Sequence, residues 1–254
     1  MLPKSDATIR AETEEVMTYY WGFVQPVPTA GKQAYIDHAE LSWPIIRKMG
    51  ALRMVECWAE DVPKGKQTDF YRAVQCKEDE TPVFSWIQWP DKATADKAAA
   101  QMPEDPEMRS MPPMPFDGKR MIWGGFAPVY SFGTSRPGSY VQGFVLAVPA
   151  AKKEAYAALA KSCEEMFTGK GATHIVENWG DEVPHGEVTD FYRATDAQEG
   201  EVPLFSWIEW PDKATCDKAA KDMESEMAGM EMPEMPFDGM RMFWGGFSPL
   251  LDKS

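Results

Sequence analysis

The chain has 254 residues, 44% apolar and 26% charged, the balance of a soluble globular protein and large enough for one big core or two ordinary domains. Its 26 Lys and Arg stand against 40 Asp and Glu, a net charge of −14 that repels phosphate backbones, so nucleic acid is not an expected partner. No apolar run approaches the roughly 18 residues that span a bilayer, and the first residues lack the basic-then-apolar order of a secretory signal. The expectation is a cytoplasmic protein with no membrane partner.

Residues 1–18 are polar and acidic and read as a flexible N-terminal tail. Residues 22–28 form a short apolar stretch punctuated by proline, a strand. A helix follows, on which Tyr35, Ala39, Ile46 and Met49 keep part of an apolar stripe, and Pro44 is expected to kink or split it. Three runs rich in β-branched and aromatic residues come next, 52–58, 69–74 and 83–89, each read as a strand, with a turn at 61–65. Asp91 is a plausible N-cap for a helix reaching about residue 102. A loop rich in methionine and proline then leads to a last strand at about 121–129.

The same order then repeats. Thr68-Asp69-Phe70-Tyr71-Arg72-Ala73 recurs as Thr189-Asp190-Phe191-Tyr192-Arg193-Ala194, a shift of 189 − 68 = 121. Without a gap, residues 22–128 and 143–249 share 56 identities over 107 positions, so both halves have one fold. The units are 19–130 and 140–254, joined by 131–139, whose Gly, Ser and Pro content reads as a flexible linker. Each unit is α+β, with helices on one face of an antiparallel sheet. The bare face needs a cover, and the other copy can supply it.

Val55-Glu56-Cys57-Trp58, Thr68-Asp69-Phe70, the segment Phe84-Ser85-Trp86-Ile87-Gln88-Trp89-Pro90-Asp91-Lys92, and Gly124-Gly125-Phe126 closing the methionine loop resemble the YbaA-like family of bacterial domains of unknown function. The resemblance covers nearly all of both halves. It implies two tandem ferredoxin-like units whose sheets pair as an intramolecular dimeric α/β barrel, an arrangement shared with small monooxygenases, isomerases and haem enzymes. It brings no established reaction.

A two-fold site inherited from a symmetric dimer should repeat its polar groups, and that test removes much of the obvious chemistry. His38 corresponds to Leu159 and reads as a core histidine; His174 corresponds to Arg53 and His185 to Lys64. None of the four cysteines has a cysteine counterpart, and free thiols are expected. No metal site and no cofactor is expected, since neither a nitrogen-rich ligand set nor a nucleotide fingerprint is present. The residues that pass are Glu56, Trp58, Ser85, Trp86 and Arg120 with Glu177, Trp179, Ser206, Trp207 and Arg241, candidate ligand-binding residues. Asp69 and Tyr71 with Asp190 and Tyr192 are candidate catalytic pairs, each a carboxylate and a phenol sharing a strand face. Packing and ion pairing at a barrel seam explain the same residues without function.

Of 17 methionines, 12 fall in the two loops, five from Met102 to Met121 and seven from Met223 to Met242. Thioether copper sites would suit such spacing, but an adaptable apolar cover over the barrel mouth explains it better. The reading is an α/β-barrel protein that holds a small apolar or aromatic ligand between its two sheets. The alternatives are a cofactor-independent monooxygenase or isomerase, and a non-catalytic assembly protein using the methionine loops. The internal pseudo-dimer is expected, and further oligomerisation is open.

Overall fold

A computed structural model describes residues 18–229 and 234–254. The expected N-terminal tail, apart from Thr18, and Met230 and Met232 of the second methionine loop lie outside the described residues. The first unit runs β1 (Tyr19–Pro28), α1 (Lys32–Lys48), β2 (Arg53–Asp61), α2 (Phe70–Ala73), β3 (Glu80–Trp89), α3 (Lys92–Gln101), α4 (Pro106–Arg109) and β4 (Ile122–Gly133). The second runs β5 (Tyr140–Pro149), α5 (Lys153–Ser162), α6 (Glu164–Thr168), β6 (His174–Glu182), α7 (Phe191–Ala194), β7 (Glu201–Trp210), α8 (Lys213–Met227) and β8 (Phe243–Lys253). Strand order within a unit is β2-β3-β1-β4, the ferredoxin-like order, and the two sheets close into one barrel, β1-β3-β2-β8-β5-β7-β6-β4. All pairs are antiparallel, and the seams are β2 with β8 and β4 with β6. Among the described residues no strand is left as an unpaired edge, so each unit completes the other.

Alternation along the strands fixes which side chains face inward. Tyr20, Val24, Val55, Cys57, Phe84 and Trp86 point into the barrel with their partners from the second unit. There Phe84 stacks on Phe205 at 4.2 Å between centroids, and Trp86 on Trp207 at 4.4 Å. All four rings are fully buried. The space between the sheets, expected to be a ligand chamber, is therefore solid aromatic core. Eight strands enclose just enough room for side chains, and these rings use it.

The run at 69–74 is a capped helical turn and not the expected strand. Asp69 accepts from the Arg72 amide at 2.7 Å, as Asp190 does from Arg193 at 2.8 Å, satisfying donors that the first turn leaves open. Each short helix inserts a phenylalanine into one end of the barrel: Phe70 meets Phe243 and Phe247 edge-on at 4.8 and 5.0 Å, and Phe191 meets Phe126 at 5.3 Å. The preceding threonines tie the units together, Thr68 donating to the Arg241 carbonyl at 3.1 Å and Thr189 to that of Ala73 at 2.7 Å. At the opposite end Glu209 is fully buried beside Arg53, 3.3 Å away, and His174, 3.2 Å away. Burial pushes its pKa up, but His174, Arg53 and Ser135 outweigh that and hold it ionised below its usual range.

Two further expectations change. Ser131, Phe132 and Gly133, read as linker, belong to β4 and pair with Val176, Ile175 and His174, because the barrel seam needs strand length there. Helix α1 passes Pro44 without a break, while the second unit's helix, which has no proline, divides at Cys163. Pro44 leaves the Glu40 carbonyl without a helical donor, and Glu40 lies exposed, where water can supply one.

The stacked rings leave no room at the strand crossing beneath them. A Cβ at Gly22 would sit 2.7 Å from Phe205, and one at Gly143 would sit 2.9 Å from Phe84. Since each phenylalanine is pinned by the other, Gly22→Ala and Gly143→Ala are each expected to cost about 1–3 kcal/mol in urea unfolding. Pairing Gly22→Ala with Phe205→Leu is expected to recover part of that loss. Full stability in both single variants would mean that the rings are free to move.

Candidate functional site

With the barrel interior filled, open space lies on the outer face of the sheet. In the first unit a cavity of about 500 Å³ is enclosed by that face, by α1, by one residue of α3 and by the methionine loop. Outward-facing residues of three adjacent strands make its floor: Trp21, Phe23 and Gln25 from β1, Met54 and Glu56 from β2, and Ser85 and Ile87 from β3. Helix α1 adds Tyr35, His38, Ala39, Ser42 and Ile46 at helical spacing, one face toward the sheet. Met102, Met108, Met114, Phe116 and Met121 form the cover. The methionines thus close a space between sheet and helix, not the barrel mouth that the sequence suggested. Met114 and Trp123 remain exposed at its rim.

The walls are apolar except at one end. There Tyr35 donates to Glu56 Oε2 at 2.5 Å, and Gln25 donates to Ser85 at 3.0 Å and more weakly to Glu56 at 3.5 Å. Burial raises the Glu56 carboxyl, the bonds from Tyr35 and Ser85 oppose it, and the balance lies at about 7. Tyr35 is pushed well above the usual tyrosine range by burial and by the carboxylate beside it. His38 is half-buried on the cavity wall, makes no side-chain hydrogen bond to any described residue, and is held below the usual histidine range by burial. It is neutral at pH 7 and offers a donor and an acceptor.

The matching space in the second unit is about 180 Å³. It keeps the phenol and the acid, Tyr156 donating to Glu177 at 2.6 Å, with the carboxyl again raised by burial. But Leu146 replaces Gln25, Leu159 replaces His38 and Cys163 replaces Ser42. Polar groups around the acid have become apolar, and the space is smaller.

Of the expected ligand-binding residues, Glu56 and Ser85 line the larger cavity and Glu177 the smaller. Ser206 occupies the place of Ser85, hydrogen-bonded to Tyr156 and Glu177. Trp58 and Trp179 share the outer face with those acids, each under a lysine, Lys32 and Lys153, at 5.0 and 5.4 Å from the ring. Trp86 and Trp207 face the other way, into the core.

Arg120 and Arg241 are locks. Arg120 forks onto Glu80 at 2.6 Å through both terminal nitrogens, reaches Asp117 at 2.9 Å, and holds the carbonyl of Gln75. Arg241 does the same with Glu201, Asp238 and Asp196. Gln75 and Asp196 both have positive φ, 48° and 49°, so each arginine fastens a strained turn.

The proposed pairs of carboxylate and phenol do not converge either. Asp69 and Asp190 are buried and bonded to the amides of Gly65 and Gly186 as well as their capping partners. Tyr71 lies under Lys64 and Tyr192 against His185, because residues two apart diverge on a helix. Asp190 and His185 border a second, smaller cavity of about 300 Å³, but Tyr192 is not part of it.

Gln25, Tyr35, His38 and Trp21 were missed. Repetition was required of every candidate, and the positions that differ between copies are those that open the first cavity. Tyr35 does repeat, and its polar end was overlooked because it sits on an apolar stripe. Among the described residues no cluster of three or more His, Cys, Asp or Glu could hold a metal ion.

A buried carboxyl that takes up protons only in the folded state gives a pH dependence of known sign. With Glu56 raised from 4.5 to about 7, the folded state binds more protons between those values, so stability falls as pH rises through that window and levels off above it. Glu56→Gln removes this term. Relative to the parent, the variant is expected to gain about 1–3 kcal/mol between pH 4.5 and 8, most of it below pH 7, in paired urea titrations. A difference that does not change with pH would place the carboxyl's titration at its ordinary value.

Among solved structures the chain is similar to a putative monooxygenase from Fusobacterium nucleatum, with TM-score 0.55, 11% identity, and 94% of this chain and 95% of that one covered. It is also similar to an anthrone oxidase-like protein, with TM-score 0.53, 12% identity and 94% of both chains covered. At such identities the likeness is one of fold, the dimeric α/β barrel. In sequence, the protein YbaA of Escherichia coli, described as uncharacterised, is 51% identical over 114 residues, 44% of this chain and 97% of that protein. The family described as "Protein of unknown function (DUF1428)" matches residues 18–118 and again 139–239, and the chain belongs to it as two copies in tandem.

Proposed function

We propose that the chain binds one small, mostly apolar or aromatic molecule, seated in the first unit's cavity between sheet and helix. The observation that carries this is a wall of Trp21, Phe23, Ile46, Met54, Ile87 and the loop methionines ending in one polar group of Gln25, Tyr35, Glu56, Ser85 and His38. Apolar walls with a few convergent polar groups are the usual composition of a small-molecule pocket. A ligand with one hydroxyl or carbonyl group fits that chemistry, and methionine supplies a cover that adapts to its outline. The second unit acts chiefly as the other half of the barrel.

A second reading, a cofactor-independent monooxygenase or isomerase, is favoured by the Glu56 carboxyl, which balances near pH 7 where an acid or base is most useful. The fold shared with a putative monooxygenase and an anthrone oxidase-like protein is compatible with it. A net charge of −14 supports a chain without nucleic-acid partners. No described helix is long and apolar enough to cross a membrane, and four free cysteines support a reducing compartment, the cytoplasm.

Binding is checked with 2-naphthol, an aromatic probe with one hydroxyl. Titration followed by tryptophan fluorescence is expected to saturate at one probe per chain, since Trp21 and Trp123 border the cavity. Ser42→Phe, which fills the space from α1, is expected to weaken binding at least tenfold while leaving the melting temperature within a few degrees. Binding that is absent, or that ignores this substitution, would remove the cavity as the site.

A further inference from the structure

We infer that the first unit's cavity is a proton-transfer site for carbonyl compounds, with Glu56 as the base and His38 as the hydrogen-bond donor to the carbonyl oxygen. The inference rests on the ligand-binding reading above and names its substrate class: a compact aromatic ketone bearing a hydrogen on the carbon next to the carbonyl.

Three features of the geometry point this way. Glu56 is anchored from one side by Tyr35 through Oε2, and the carboxyl lines the cavity. Tyr35 is thus a positioning residue, and the anchored carboxyl faces a bound molecule without having to reorganise. His38 is one helical turn from Tyr35 on the same face of α1, borders the same cavity, and has no hydrogen-bond partner among the described residues. An unpartnered half-buried imidazole, neutral because burial disfavours its charge, is a donor still waiting for an acceptor. Finally, the second unit lacks this pairing: it retains Tyr156 and Glu177, but Leu159 stands where His38 does and the space is about 180 Å³.

The step balances within the bound molecule and needs no co-reactant. The C–H bond next to the carbonyl breaks and its proton passes to the Glu56 carboxylate. The C–H electron pair becomes the C=C bond of an enolate, and the carbonyl π pair moves to oxygen, which accepts a hydrogen bond from the neutral His38 N–H. Return of the proton to the same carbon restores the ketone; in a β,γ-unsaturated ketone, return to the γ carbon moves the double bond into conjugation.

The other titratable groups lining the cavity with Glu56 are Tyr35 and His38 from α1, while β1 and β3 present the uncharged Gln25 and Ser85. Tyr35 stays protonated and His38 stays neutral through pH 7–9, so the carboxyl alone governs the rise of activity with pH.

The probe is 2-tetralone in deuterated buffer, with exchange of its C1 hydrogens followed by proton NMR and binding followed separately by tryptophan fluorescence. The full-length chain is expected to accelerate exchange above buffer, with kcat/KM rising through about pH 7 to a plateau. Glu56→Gln is expected to lower the rate by about 100-fold or more while probe affinity changes less than about threefold. His38→Leu, which copies the second unit, is expected to lose about tenfold or more, with His38→Gln restoring part of it. Glu177→Gln is expected to leave the rate unchanged. Exchange no faster than buffer while 2-tetralone binds overturns the proton-transfer site and leaves the ligand-binding reading standing. Acceleration that survives Glu56→Gln assigns the base elsewhere and overturns it too, and failure of 2-tetralone to bind at all overturns the substrate class.

Discussion

The stacking of Phe84 on Phe205 and of Trp86 on Trp207 decides where anything else in this molecule can happen. Two equivalent aromatic pairs meet across a barrel of eight strands and fill it, with Phe70 and Phe191 closing one end and the Arg53–Glu209–His174 group the other. Gly22 and Gly143 are the counterpart of the stack, because each lies under the ring contributed by the other unit. The barrel gains its burial from both copies at once, which is how an internal duplication replaces association of two chains. The larger cavity then lies on a sheet's outer face, beneath a helix.

On those faces the two units differ. The frame is repeated to the level of single bonds in the capping aspartates, the forked arginines and the turns of positive φ, while the two threonine ties reach different acceptors. The linings of the two cavities differ at Gln25 and Leu146, His38 and Leu159, and Ser42 and Cys163. Once both copies are in one polypeptide, symmetry is required of the barrel core, where each ring needs its mate. It is not required under the helices, although packing there also crosses between the units, Leu251 of β8 lying in one cluster with Ala39, Trp43 and Ile46 of α1.

That difference also marks what the sequence could disclose. The repeat was legible by direct comparison of the two halves, and the alternation along Val55-Glu56-Cys57-Trp58 and the Asp91 cap because each depends on neighbours within a few positions. The turn at Asp69 was not, because its aromatic, strand-like composition outweighed a cap of the same kind as that at Asp91. The fate of Trp86 and Ser85 turned on which sheet face the partner copy would take. Alternation separates the two residues without saying which is inside. Requiring candidates to repeat recovered Glu56, Ser85 and Glu177 and discarded His38, whose divergence was the informative signal, while Gln25 read only as part of a strand.

The bond between tyrosine and glutamate is present in both units, including the one with little space beside it, so its first role is mechanical. A phenol on the helix grips a carboxyl on the sheet and sets where the helix lies. Burying that carboxyl is unfavourable, and the hydrogen bond offsets much of the cost, which is why the acid is tolerated in apolar surroundings. The same burial brings the Glu56 carboxyl to about 7, so a group selected as a tie is already tuned for exchanging protons near neutrality. Turning a tie into a site then requires no new charged residue. It requires loosened packing beside the carboxyl and one polar group left without a partner, which is how the first unit differs from the second.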